Sequence, residues 1–241
     1  ASLTASSLNL AAGGTLALGD KPLTFGSAGS SVLAGGVISG TGGLVYTGTA
    51  PLAVTGSNTI PGSVTLAPGA VMFLQNPFGL GDPAVGTTLQ DGSRIYLLSS
   101  ANSATIPEPF TIAGSGTIQS GNSVAFTLGG PIAVSGTLNL STDAGAAINV
   151  SGSMSGAGTV LKTGGANLTL SNTASANTFS GPFQQLGSGT VNVLAATGLG
   201  SGQASITGAS AGPINFTNVT GTIPTSLSFA AGSVAARPSC R

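Results

Sequence analysis

The chain of 241 residues carries 40 Gly, 13 Pro, one Cys, no His and no Trp, and its five basic and five acidic residues leave a net charge of zero. Without histidine there is no Ser-His-Asp triad, no imidazole base and no typical zinc site, and so few charges form no basic patch for nucleic acid. Disorder goes with low hydrophobicity and high net charge. At 41% hydrophobic and neutral, this chain is expected to fold.

From the N-terminus, short alternations of apolar and polar residues replace helical patterning. They begin with "SLNLAAGGTLALG" at residues 7–19, continue through "PLTF" at Pro22, "PLAV" at Pro51 and "SVTLAPG" at 63–69, and pass to "PFTI" at Pro109 and "PIAV" at Pro131. "GTLNLS", "NLTLS", "TVNVL" and "PINF" at Pro213 follow. Each is a brief period-two run closed by Gly, Ser, Asn or Pro, the pattern of a strand and then a turn. Proline has no N–H to donate and suits the first residue of a strand. The two apolar residues after it, two positions apart, point to one face.

A longer repeat overlies these runs. "GVISGTGGLVYTG" from Gly36 returns as "GSMSGAGTVLKTG" from Gly152, a shift of 116 residues (152 − 36) that pairs Ile38 with Met154, Leu44 with Val160 and Leu52 with Leu168. After a three-residue insertion, "NTIPG" at 58–62 matches "NTFSG" at 177–181, and "GLG" at 79–81 matches "GLG" at 198–200. Internal repetition of short strands predicts a β-solenoid, in which each coil stacks its strands on those of the coil before. The expected organisation is one continuous solenoid over 1–241, with related modules at 22–90 and 109–208 and a terminal tail at 233–241. Ten coils at about 4.8 Å per stacked strand would make a rod roughly 50 Å long.

The span "SGAGTVLKTGGANLTLSNTASANTFSG" (155–181), followed by "GSGTVNVLAATGLGSG" (187–202), resembles the passenger-associated repeat of bacterial autotransporters. Lys162, Gly164, Leu168, Leu170, Asn177, Thr178 and Phe179 fall on that family's phrase; in the first copy Tyr46 stands for the lysine and Ile60 for the aromatic. The resemblance implies a right-handed parallel β-helix displayed outside a bacterial cell. The family's C-terminal outer-membrane barrel has no counterpart in this sequence.

Residues with chemistry are sparse. Of the acids Asp20, Asp82, Asp91, Glu108 and Asp143, only Asp82 and Asp91 are close in sequence, and "LGDPAVG" and "LQDGSR" are turn contexts that suit a capping carboxylate. Lys162 is expected to expose its stem. Asn-x-Ser/Thr sequences at Asn139, Asn149, Asn167, Asn215 and Asn218 suit stacked asparagines as well as glycosylation. Cys240, with Arg237 and Arg241, is the candidate intermolecular contact. No cofactor, metal or catalytic residue is expected, and no run is long and apolar enough for a transmembrane helix.

Low net charge favours association, and the strand-like opening of the chain leaves coil edges for a neighbour to pair. The expected function is therefore a structural subunit, secreted or on the bacterial surface, that self-associates into a homopolymer (filament, tubular appendage or sheath) with cell-surface anchoring. A passenger-like adhesin for a host, glycan or surface is the alternative. An ice-binding coil is third, because "TGT" at Thr47 and Thr220 does not recur at a fixed period. An enzyme is not expected.

Overall fold

The computed structural model describes residues 3–26, 29, 31–33, 35–98, 104–121, 124–143, 145–172 and 177–229. It is an all-β solenoid of about 10 turns, with parallel strands and no helix among these residues. Cys240, Arg237, Arg241 and the tail at 233–241 lie outside the described residues.

One coil illustrates the rest. Phe110–Ile112, Ser115–Ser120 and Phe126–Leu128 form three sides, and Ile132–Val134 then pairs in parallel with Phe110–Ile112 to begin the next coil. The first side is an eight-stranded sheet from Leu3–Ala5 to Met154–Ser155, and the second an eleven-stranded sheet from Asn9–Leu10 to Ser226–Phe229. The third side begins as a pair, Thr15–Gly19 with Val37–Gly40, and is a six-stranded sheet from Ala104–Ile106 to Ile214–Phe216. Coil length varies. Leu52 pairs with Met72 and Met72 with Ile95, steps of 20 and 23 residues (72 − 52 and 95 − 72).

The three-residue strands between the two ends bury their outer two residues and turn the middle one outward, as in Leu23/Phe25, Leu52/Val54, Phe110/Ile112 and Ile132/Val134, whereas Leu3–Ala5 is exposed and Ile214–Phe216 buries only Ile214. The prolines sit where the sequence places them, one residue before a strand. Their carbonyls accept from the coil before: Thr87 N to Pro109 O, Phe110 N to Pro131 O and Val191 N to Pro213 O, each 2.9 Å. A residue that must accept there and need not donate is one that proline can be.

The repeated phrase has a structural job. Asn58 is buried and joins three successive coils: its Oδ1 accepts from Gly35 N and Gly36 N at 3.0 Å, and its Nδ2 donates to Gly79 O at 2.9 Å. Asn177 does the same in the second copy, accepting from Met154 N at 2.6 Å and donating to Gly198 O at 2.8 Å. The "NT" and "GLG" motifs recur together because the amide of one holds the first carbonyl of the other. The copies do not share a side. Leu44 and Leu52 lie on the first and second sides, whereas their counterparts Val160 and Leu168 lie on the second and third. A shift of 116 residues thus carries the phrase one side further round the coil.

Candidate functional surfaces

Every outward residue belongs to a column that the parallel register stacks along the axis, so each side presents a different chemistry. On the first side the column runs Thr4, Thr24, Val45, Thr65, Thr88, Thr111, Ala133, Ser155. It has no charged residue, and parallel pairing spaces its members by about 4.8 Å. Five of its eight members are threonine, with Thr65, Thr88 and Thr111 successive, a partial ladder not found around Thr47 and Thr220 and hidden from the sequence by the unequal coil lengths.

The third side carries Thr105, Thr127, Asn149, Thr169, Asn192 and Asn215 in register. These groups bond along the axis: Asn149 Nδ2 donates to Thr127 Oγ1 at 3.4 Å, and Ser171 Oγ donates to Asn149 Oδ1 at 2.7 Å. Asn149 therefore stands in register between two threonines, and Asn215 stacks on Asn192. Asn139 accepts from Thr163 Oγ1 at 2.8 Å, and Asn167 Oδ1 accepts from Thr190 N at 3.1 Å.

The second side gathers an arginine and two aromatic residues. Tyr96 stacks in register on Phe73, edge to face with ring centres 5.4 Å apart. Arg94 donates from Nη1 to Tyr96 Oη at 2.8 Å and lies 5.5 Å from the centre of the Tyr96 ring. The guanidinium is thereby held against the Tyr96 ring. Gln119, next in the Tyr96 column, donates to Asp143 at 3.0 Å.

Asp82 Oδ1 accepts from Ala84 N at 2.9 Å, a turn cap within its own loop, and Asp91 Oδ1 accepts from Ser115 N at 2.8 Å, a cap on the next coil. Glu108, the acid without a turn signal, is 3% exposed and accepts from Thr87 Oγ1 at 2.7 Å. Burial pushes its carboxyl up to about 7, with a lesser contribution from Asp82 and partial relief from the Thr87 hydroxyl. Asp20 pairs with its neighbour Lys21 at 2.6 Å.

Lys162 corrects the expectation of an exposed stem. It is fully buried in the interior column Leu52, Met72, Ile95, Ile118, Leu140, Lys162, Gln185, Ile206, and its Nζ donates to Gly164 O at 2.8 Å. Burial lowers its ammonium to about 8. Thr142 Oγ1 donates to Ala166 O at 2.7 Å and Gln185 Nε2 to Gly187 O at 2.8 Å, so together they form a polar seam along one inner corner of the later coils. Tyr46, at the lysine's place in the first copy, is buried too and donates its hydroxyl to Ala50 O. Both copies thus bury a long side chain whose polar tip satisfies a corner carbonyl. Parity carried the signal: Val160 and Lys162 are two apart and must face the same way.

Among the described residues no helix is long and apolar enough to cross a membrane. No family model, curated protein or solved structure matches the chain.

Proposed function

We propose that the protein is a structural subunit that self-associates through its sides into an extracellular or bacterial cell-surface assembly, a filament, tubular appendage or sheath. Kinship with autotransporter passengers belongs to the same proposal. The observation that carries it is the first side: eight stacked strands whose outward column is threonine, valine, alanine and serine, with no charge to repel a second copy. Short, rigid side chains lose little rotamer entropy when covered. Negative-stain electron microscopy of the purified chain over a concentration series tests the reading. Regular fibres, tubes or sheets that increase with concentration support it; single short rods at every concentration overturn it.

The Arg94–Tyr96–Phe73 cluster favours a second reading, a passenger-like adhesin. Arginine and aromatic side chains carry much of the energy of recognition surfaces, and this chain gathers an arginine and two aromatics on one side. Loss of cell or glycan-array binding in Arg94→Ala, with the thermal midpoint unchanged, is the expected result on that reading.

A further inference from the structure

The first side loses its regularity in the last coils. The eight-stranded side ends at Met154–Ser155, and in the following coils its place is taken by residues 177–182, 194–202 and 217–225, which form no strand. Where strands give way to loops on a rigid scaffold, side chains are freed from the in-out alternation and become available for recognition. A cleft of about 370 Å³ opens there, and Asn172, Leu194, Ala196, Thr197, Asn218 and Thr220 line it. Asn218 adds a second, independent sign. Among the described residues it is the one non-glycine with positive φ, at 56°, a backbone state that asparagine tolerates.

The lining defines the ligand. It has no charged side chain, so an anion or cation entering it would give up water without meeting a countercharge. A wholly apolar ligand would cover the Asn218 amide and two hydroxyls without pairing them. Amide and hydroxyl groups both donate and accept, as sugar hydroxyls do, while Leu194 and Ala196 offer apolar contact to the C–H face of a ring. The volume lies near the lower end of the range for small-molecule sites. We infer that this cleft, where the first side ends, binds a neutral sugar unit, one or two rings in size, through Thr197, Asn218 and Thr220. The inference is independent of self-assembly, which microscopy reads separately.

Saturation-transfer difference NMR on the full chain tests it, with glucose, galactose, mannose and N-acetylglucosamine as probes and glucuronate as the charged comparison. At least one neutral sugar should receive saturation and glucuronate should not. Asn218→Gly keeps the positive φ available while removing the amide, and Thr197→Val removes a hydroxyl at nearly constant volume. Each should weaken the best sugar by roughly tenfold, the loss of one or two hydrogen bonds. Thr111→Ala, on the first side several coils before the cleft, should bind as the parent does. The inference is overturned if none of the four sugars receives saturation, if glucuronate binds as well as they do, or if Asn218→Gly and Thr197→Val bind unchanged.

Discussion

Lys162 and Glu108 are ionisable groups placed where their charge is unwelcome, and they make stability depend on pH in opposite senses. The lysine's folded value of about 8 lies below its ordinary 10.5. Folding therefore favours the neutral amine, and stability rises with pH across the window from 8 to 10.5. The glutamate's folded value of about 7 lies above its ordinary 4.5, so its contribution is present in full below 4.5 and is lost as pH rises to 7. Between them the two groups put a stability minimum near neutral to slightly alkaline pH. Lys162→Met should raise stability at pH 7 by about 1–2 kcal/mol, less than the full desolvation cost because Gly164 O loses its donor. It should also flatten the alkaline rise, as Glu108→Gln should flatten the acid-side fall. Urea melts at a series of pH values read both, and a parent protein whose midpoint does not move between pH 8 and 10.5 would refute the lysine account. Asn177 belongs to the same scale. Asn177→Ala leaves Met154 N and Gly198 O without partners inside the coil and should cost about 2–4 kcal/mol by the same melts. Asn177→Asp should be no better, because a carboxylate has no N–H for Gly198 O.

At the scale of the strand and corner, side-chain size is policed by the next coil. A Cβ at Gly181 would stand 1.6 Å from Gly158 O, a backbone atom with nowhere to go. Gly181→Ala is therefore expected to abolish folding of the later coils or to lower the thermal midpoint sharply, as followed by circular dichroism. The outward column of the first side tolerates much more, since its residues touch only their neighbours in the ladder. Thr65→Lys with Thr88→Lys should cost no more than about 1 kcal/mol of stability, the repulsion of one like-charged pair. Stacked in register, the two like charges should weaken lateral association and shift the onset of assembly to higher concentration. Light scattering across concentration and salt checks this; assembly unchanged by the two lysines would remove the first side from the proposed interface.

For the molecule as a whole, a solenoid whose coils contact mainly their neighbours is close to one-dimensional, and its stability is a sum over coils and the interfaces between them. The interior is not uniform along that line. Coils through Ile118 stack aliphatic residues in the column where later ones place Lys162 and Gln185. Hydrogen exchange should therefore show earlier opening of the coils around 159–189 than of the strands around 126–140, whose buried residues are all apolar. Uniform protection along the rod would contradict the assignment of the polar seam as the weaker segment.

The strands, their proline starts and the coiled architecture were legible because they depend on spacings of two residues, which the chain sets locally whatever surrounds it. The pairing of "NT" with "GLG" was visible as a repeat, and only the coordinates tied it to an amide spanning three coils. Lys162 shows where local evidence was overruled: its parity with Val160 pointed inward, but the ordinary preference of a charge for water pointed out. The partial threonine ladder, the turn of the second copy onto the next side and the cleft beside Asn218 were out of reach. They follow from which residues lie above one another, and that register is set by corner loops of unequal length. A chain can write its alternation in five residues; it fixes its register only by closing each coil on the one before.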